Sequence, residues 1–373
     1  MSATDCEPIH RTWGFPSRVR LVTSGDAGRG GAVLAVLGEL VVDLLPVPTA
    51  GAGPEGTAPQ YVARPGGNAL NVAVAAGRLG TSVRLLARLG TGPLAVNLRR
   101  HAELSAVDPA GFVHADEPVS VAVVGLDADG SPAYGFHVAG AADWQWTDEE
   151  LARVLPAGTA LLHVGSISAW TAPGSEAIAR LVERLSSDGS ALISVDPNLR
   201  PALADGPAAR LIGNTAADVR TRLDRLLDRA DIVKVSSEDL AWLEPDTPQD
   251  EAGLDDAASR WAQRGPALVV LTDGGAPLRV ARPGRELLHR APPRVEVADT
   301  VGAGDSLAAG LFAGLLERGI TDRAALEQLS DEDLLAVVDD AALVAAVNCT
   351  RVGADPPTRE ELDAARGETS AVR

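Results

Sequence analysis

The sequence predicts an α/β fold, in which helices cover both faces of a mostly parallel sheet to form a three-layer α/β/α sandwich. Short apolar runs typical of buried strands alternate with longer segments of helical periodicity along most of the chain. Hydrophobic residues make up 46% of the sequence but aromatic residues only 3%, so the core must consist mainly of Ala, Val and Leu. Such a core is typical of buried parallel strands packed between helices, which are joined by right-handed connections.

The predicted elements follow this alternation in order. Residues 1–31 show no periodicity and are expected to form a flexible extension before one domain at 32–366. Strands are predicted at residues 32–37, 83–88, 159–164, 191–195, 231–235 and 267–271. Helices are predicted at residues 68–79, 93–104, 148–154, 174–187, 216–229, 236–243, 253–264, 305–318, 322–329 and 331–349. Outside this rhythm lie a Pro- and Gly-rich loop at 46–59, strand-like runs at 119–126 and 133–138 around a turn at 127–131, and a β-rich patch at 278–297.

Charge and composition exclude several classes of function. The net charge of −18 argues against binding to the phosphate backbone of nucleic acids. No apolar segment is long enough to cross a membrane, and no signal peptide opens the chain, so we expect a cytoplasmic protein without a membrane partner. The two cysteines, Cys6 and Cys349, and the six histidines show no metal-ligand spacing.

The segment at 299–305, DTVGAGD, precedes a helix and suits an anion. Gly302, Ala303 and Gly304 allow a tight turn that aims backbone N–H groups at one point, where the helix dipole adds positive charge. Such a hole suits a phosphoryl group in transfer. Asp305 at its edge is the candidate proton acceptor for an attacking hydroxyl. The alternative reading is a Gly-rich turn with Asp305 as the helix N-cap.

A second segment lies at 65–80, PGGNALNVAVAAGRLG. Gly66 and Gly67 end an extended run, and Asn68 is expected to cap the helix that follows. Asn68 and Asn71 are three residues apart, so their amides face the same side and can bind vicinal hydroxyls. The alternative is that Asn68 is only a cap and Asn71 only a polar surface residue.

Together the two segments resemble the two signatures of the ribokinase-like (PfkB) family of sugar and nucleoside kinases, and the resemblance runs from residue 32 to residue 362. Residues 38–43 (GELVVD), 196–201 (DPNLRP) and 349–354 (CTRVGA) look most like bacterial fructokinases. The resemblance implies a small β-sheet lid from about 44–64 and 111–140 that covers the sugar. A homodimer formed through the lid is a further expectation.

The resemblance also implies the residues that bind the sugar. Asp43, expected at the end of the first strand, would accept sugar hydroxyls, and Gly165 and Asn198 would line the same crevice. Arg200 would neutralise phosphate charge, because the only lysine, Lys234, lies in IVKVS, which reads as a strand end and not as a P-loop. The alternative for Arg200 is a structural pair with a nearby acid.

On the nucleotide side, the resemblance implies a second set of residues. Ser236, Thr272, Gly274 and Asn348 are the candidate nucleotide contacts. Glu238 or Asp239 would hold Mg²⁺ through water, although the usual Asn of this element is replaced by Ser236. Asp299 and Gly353 are the candidates for binding a monovalent cation, K⁺ in particular.

These observations predict an ATP-dependent sugar kinase that transfers the γ-phosphate to a primary hydroxyl of a hexose or keto-sugar, with fructose as the first choice. A 2-keto-3-deoxygluconate or nucleoside kinase would use the same catalytic segment with a different pocket. The third reading is a catalytically weak family member that acts as a ligand-binding or regulatory protein.

Overall fold

The computed structural model describes residues 31–47, 60–126 and 132–371. Almost all of the predicted extension at 1–31, most of the loop at 46–59 and the turn at 127–131 lie outside these ranges.

A mostly parallel sheet forms the centre of the described domain. The strands are β1 Val33–Leu37, β2 Val41–Pro46, β3 Tyr61–Gly66, β4 Val83–Leu89, β5 Phe112–His114, β6 Ser120–Leu126, β7 Pro132–His137, β8 Thr159–Gly165, β9 Leu192–Asp196, β10 Ile232–Ser236, β11 Leu268–Thr272, β12 Leu278–Ala281 and β13 Leu288–Arg290. Nine of these described strands pair in the order β13-β12-β11-β10-β9-β8-β1-β4-β5. The pairs from β11 to β5 are parallel, and β12 and β13 add antiparallel pairs at one edge. A separate four-stranded sheet, in the order β3-β2-β6-β7, forms the lid.

Helices cover both faces of the central sheet. They are α1 Asn68–Arg78, α2 Pro93–Leu104, α3 Asp148–Val154, α4 Ser166–Trp170, α5 Gly174–Asp188, α6 Pro201–Ala204, α7 Pro207–Leu211, α8 Ala216–Leu227, α9 Ser237–Leu243, α10 Glu251–Gln263, α11 Ala303–Glu317, α12 Arg323–Gln328, α13 Asp331–Cys349 and α14 Arg359–Ala371. Successive strand residues face opposite layers, as the pleat requires. Leu161 belongs to the core shared with α1, α11 and α13, and Leu162 to the core shared with α5, α8 and α10. The predicted three-layer sandwich with a lid is therefore confirmed.

Three predictions about the elements need correction. The apolar run after Gly38 starts a strand of its own, β2, so Asp43 lies within the lid sheet and does not follow the first central strand. The β-rich patch at 278–297 contains only β12 and β13 before an irregular segment. The helix α14, at the end of the chain, is absent from the prediction.

Within the described ranges, no helix is both long and apolar enough to span a bilayer.

Candidate active site

The carboxyl ends of the parallel strands line one edge of the central sheet. The order of the strands along the sheet reverses at β1. β4 and β8 flank β1, so the chain changes direction across the sheet at this point. Such switch points are the usual ligand crevices of α/β folds. Gly165 ends β8 and packs against Asn68 at the start of α1, while Asp196 ends β9 beside it. The predicted sugar-side residues of the core therefore converge on one edge of the sheet.

Asp305 is fixed by two amides from the other predicted segment. Asn68 Nδ2 donates to Asp305 Oδ1 at 2.7 Å, and Asn71 Nδ2 donates to Oδ2 at 2.8 Å. α1 has Gly67 as its N-cap and no side-chain cap, so the prediction that Asn68 caps this helix is wrong. Gly302 is the N-cap of α11, which places Asp305 inside the first turn and removes the alternative reading of Asp305 as the cap.

The loop around the first turn of α11 leaves part of the predicted anion hole available. The N–H of Ala303 donates to the carbonyl oxygen of Thr300 at 3.1 Å, so this group is already used. The N–H groups of Gly304 and Asp305 come next in the first turn, where a helix supplies no partner of its own. Gly302 has φ 74°, which turns the chain into the helix. Ala303 therefore contributes backbone shape and not a free donor, and the N–H groups of Gly304 and Asp305 are the candidates for the predicted hole.

The charge of Asp305 is set by opposing effects. Burial raises its pKa, whereas the Asn71 amide and the ammonium group of Lys234 lower it and Asp196 raises it further. The result is a pKa above the usual range of an aspartate. A raised pKa brings a carboxylate closer to the operating pH, where a general base is most effective.

Asp43 approaches this site from the lid. It lies on β2 opposite Arg64 on β3, and a Cβ on Gly66 would come within 2.3 Å of Asp43 Oδ2, so only glycine leaves room for this carboxylate. Burial raises the pKa of Asp43 to about 6, although the guanidinium group of Arg200 opposes the rise. A carboxylate in this position can accept two hydroxyl hydrogen bonds.

Asn198 and Arg200 follow β9, and the guanidinium group of Arg200 is close enough to the lid residue Asp43 to act on its carboxylate. Asn198 has φ 39° and its backbone N–H donates to Asp196 Oδ1 at 3.1 Å. Arg200 Nη1 donates to the carbonyl oxygens of Asn198 and Leu199. Arg200 is exposed and, within the described ranges, forms no salt bridge with a carboxylate, so the structural-pair alternative is not supported.

Lys234 is a site residue that the sequence reading missed. It lies in the middle of β10 rather than at the end of a strand, with its Nζ 3.0 Å from Asp196 Oδ2. Burial acts to lower the pKa of this ammonium group, but the fields of Asp196, Asp239 and Asp305 outweigh it and raise the pKa. A lone lysine inside an otherwise apolar, buried parallel strand is the signal that could have identified it.

The predicted nucleotide residues cluster at the ends of β10 and β11. Asp239 is buried, and its oxygens accept hydrogen bonds from the backbone N–H groups of Leu199 and Ser236 and from the Ser236 hydroxyl. This capping box occupies both Ser236 and Asp239. Glu238 beside them is exposed. Thr272 ends β11 and Gly274 follows with φ 50°.

Asp299, Gly353 and Asn348 hold the loop around the anion hole. Asp299 accepts hydrogen bonds from the backbone N–H groups of Val301 at 3.0 Å and Gly353 at 2.8 Å. Asn348 is fully buried, and its Nδ2 donates to the carbonyl oxygen of Val301 at 2.8 Å. Asn348 therefore lies beneath the loop and supports it, instead of facing outward as a nucleotide contact.

The central sheet, the lid and the glycine-rich start of α11 are those of the ribokinase-like kinases, and comparison with known proteins defines the family. The chain matches the pfkB family carbohydrate kinase model over residues 32–361. A fructokinase from Klebsiella pneumoniae is 34% identical over 296 residues, which cover 78% of this chain and 86% of that protein. The chain belongs to the PfkB family of carbohydrate kinases.

Two solved structures extend this similarity to the three-dimensional fold. Fructokinase with bound ATP from Xylella fastidiosa has a TM-score of 0.77 and 26% identity, covering 91% of this chain and 99% of that chain. A fructokinase double mutant from Vibrio cholerae O395, in a form with bound fructose, ADP and potassium ion, has a TM-score of 0.72 and 26% identity, covering 89% and 97%.

Proposed function

We propose that this chain transfers the γ-phosphate of ATP to a primary hydroxyl of fructose. The observation that carries the proposal is Asp305 in the first turn of α11, with both carboxylate oxygens fixed by amides from α1. A proton acceptor is thereby oriented beside the N–H groups that can stabilise a phosphoryl group. The choice of fructose rests on the similarity to fructokinases, one of which binds fructose and ADP.

The proposed reaction is a direct transfer. The sugar hydroxyl oxygen attacks the γ-phosphorus, and its proton passes to Asp305 as the new O–P bond forms. The bond between the γ-phosphorus and the oxygen bridging it to the β-phosphate breaks, and ADP leaves with that electron pair. The first-turn N–H groups of α11 stabilise the charge on the transferring group. Asp43 and Arg200 line the sugar side, where Asp43 accepts hydroxyl hydrogen bonds.

Magnesium bound with ATP is part of this proposal. Among the residues that the structure describes, no group of three or more His, Cys, Asp or Glu side chains could hold a metal ion. This fits Mg²⁺, which binds mainly to nucleotide phosphates and water with one or two carboxylates. Glu238 is the exposed carboxylate suited to contact through water, because Asp239 already accepts several hydrogen bonds. When bound, the ion neutralises phosphate charge.

Two further parts of the proposal concern K⁺ and self-association. Asp299 and the loop that contains Gly353 are proposed to hold K⁺, supported by the potassium-bound relative. A homodimer through the lid is supported by two exposed apolar residues on its edge strand β3, Tyr61 and Val62. The K⁺ site is tested by replacing Na⁺ with K⁺, which should increase the turnover rate. The homodimer is tested by light scattering after size-exclusion chromatography, which gives the mass of the particle in solution.

The decisive experiment is ATP turnover over a panel of acceptors. ADP release is measured with fructose, 2-keto-3-deoxygluconate and adenosine, with and without EDTA. We expect the highest kcat/KM with fructose, by up to about 10⁴-fold over adenosine, because a pocket built to hydrogen-bond specific hydroxyls discriminates strongly. EDTA should abolish turnover. Turnover with none of the acceptors would favour the ligand-binding reading, and comparable values for adenosine and fructose would contradict the substrate assignment.

A further inference from the structure

Lys234 is the only lysine in the chain, and it is buried directly behind the first turn of α11. Its relative exposure is 3%, and its Nζ lies 3.0 Å from Asp196 Oδ2. A Cβ built on Gly304 would lie 2.8 Å from the same Nζ, so the ammonium group touches the helix start from behind. The other residues of the chain that are always positively charged are arginines, whose planar guanidinium group is larger than the compact point charge of an ammonium group.

Side-chain alternation along the strands explains why Lys234 faces this helix. Ile232, two residues earlier on β10, belongs to the core shared with α1 and α11, whereas Val233 and Val235 belong to the opposite core. Lys234 therefore faces α11, as does Asp196 on the neighbouring strand. A buried ammonium group in an apolar core is costly unless it is paired, and Asp196 supplies that pair.

The surroundings of Lys234 are more acidic than a simple ion pair needs. Asp196, Asp239 and Asp305 all act on this one ammonium group. Without it, Asp196 and Asp239 next to the helix start, and Asp305 within its first turn, would be left without a nearby ammonium group. Their fields would oppose the helix dipole that attracts the anion.

We propose that Lys234 is a positioning residue of phosphoryl transfer, whose ammonium group acts through the first turn of α11 to stabilise negative charge on the transferring group. The inference rests on the proposed kinase function and adds a residue to it. Lys234 is buried, and its ammonium group approaches the first turn from the side on which a Cβ of Gly304 would project, so we place it against the helix and not in contact with the substrates. Its positive charge adds to the helix dipole and offsets the neighbouring carboxylates. Gly304 is then glycine because any side chain there would displace the ammonium group.

The main test compares Asp196→Asn with Asp196→Asn/Lys234→Met. Lys234→Met alone would leave Asp196 uncompensated in the interior and is expected to lower the thermal midpoint or prevent folding. The double variant removes both charges and should fold. Relative to Asp196→Asn, we expect its kcat to fall on the order of 10²-fold, as for loss of one group that stabilises the transition-state charge. The KM for fructose should change only a few-fold.

This comparison separates the proposal from a purely structural role. If Lys234 only pairs with Asp196, the double variant will match Asp196→Asn in kcat, and the inference is overturned. A rise in KM at unchanged kcat would also overturn it. Wild-type turnover is measured first, so that absence of kinase activity counts against the proposed function and not against Lys234.

A second test uses the contact between Lys234 and Gly304. Gly304→Ala should lower kcat in the wild-type background, because the new Cβ displaces Nζ. In the Asp196→Asn/Lys234→Met background Nζ is missing, and the nearest remaining contact is at the position of Cε, 3.4 Å away. The same substitution should then have a several-fold smaller effect on kcat, since contacting residues are non-additive. Equal effects in both backgrounds would contradict the proposed contact.

Discussion

The side-chain amide of Asn71 lies 2.8 Å from one carboxylate oxygen of Asp305, although 234 residues separate them along the chain. Asn68 makes the equivalent contact with the other oxygen at 2.7 Å. One turn of α1 thus fixes the orientation of the acid in the first turn of α11. The two sequence segments that first suggest a kinase are in fact two halves of one hydrogen-bonded unit.

Replacing Asn71 by Ala should weaken this unit. Its amide lowers the pKa of Asp305, so its loss should raise that pKa and move the acidic limb of the kcat–pH profile to higher pH. We expect kcat to fall by about 10- to 100-fold, the range for losing a hydrogen bond to a charged group. Steady-state kinetics across pH 5–9 measure both effects. Asn97→Ala on the exposed face of α2 is the matched control and should behave as wild type; an unshifted acidic limb would count against the contact.

Sugar affinity should depend on pH through Asp43. Its pKa is raised to about 6, so the carboxylate becomes protonated as the pH falls through 6 and loses acceptor capacity. The KM for fructose should therefore rise below pH 6 and level off above pH 7. In Asp43→Asn the KM should be high throughout and nearly independent of pH. A wild-type KM that stays flat down to pH 5 would be inconsistent with this role.

A third prediction concerns stability at the base of the lid. Asp143 is buried, accepts hydrogen bonds from Leu40 N and Ser120 Oγ, and has its pKa raised by burial to about 7. A folded-state pKa above that of the unfolded chain gives stability that is complete below about pH 4 and is lost as the pH rises to 7. Asp143→Asn has no such titration. The wild-type thermal midpoint, measured relative to this variant by calorimetry, should decline from pH 5 to pH 8; a constant difference would contradict the assignment.

Much of the architecture could be predicted because helix caps and runs of apolar residues are local features of the sequence. The predicted bounds of α3 and α13 agree with the structure, because each helix starts at a side-chain cap, Thr147 and Ser330 respectively, before its apolar positions begin. Strands β5, β12 and β13 were not predicted as separate strands, whereas the other six strands of the central sheet were recognisable as apolar runs. The lid strand β2 was not, because its apolar residues follow β1 after only three residues, and periodicity alone cannot separate two such strands.

The candidate site was predicted less completely, because its contacts join distant segments. Asn68 and Asn71 carry the amides that local spacing indicates, but their partner Asp305 is known only once α1 packs against α11. Lys234 reads as an ordinary strand end until the pairing of β9 with β10 brings it to Asp196. Which face of a strand is buried, and against what, depends on the order of strands in the sheet.

The most direct test of the whole account is steady-state kinetics of Asp305→Asn. Asn keeps the size of Asp and one oxygen acceptor, but it cannot take the proton of the attacking hydroxyl. We expect kcat to fall by about 10²–10⁴-fold, the contribution of a general base. ATP binding, followed by thermal shift, should survive, because removal of a negative charge does not weaken binding of an anion. Asp322→Asn, at the N-cap of α12, is the control for the same substitution and should retain wild-type activity. A folded Asp305→Asn protein with near-wild-type turnover would contradict the assignment of Asp305 as the proton acceptor.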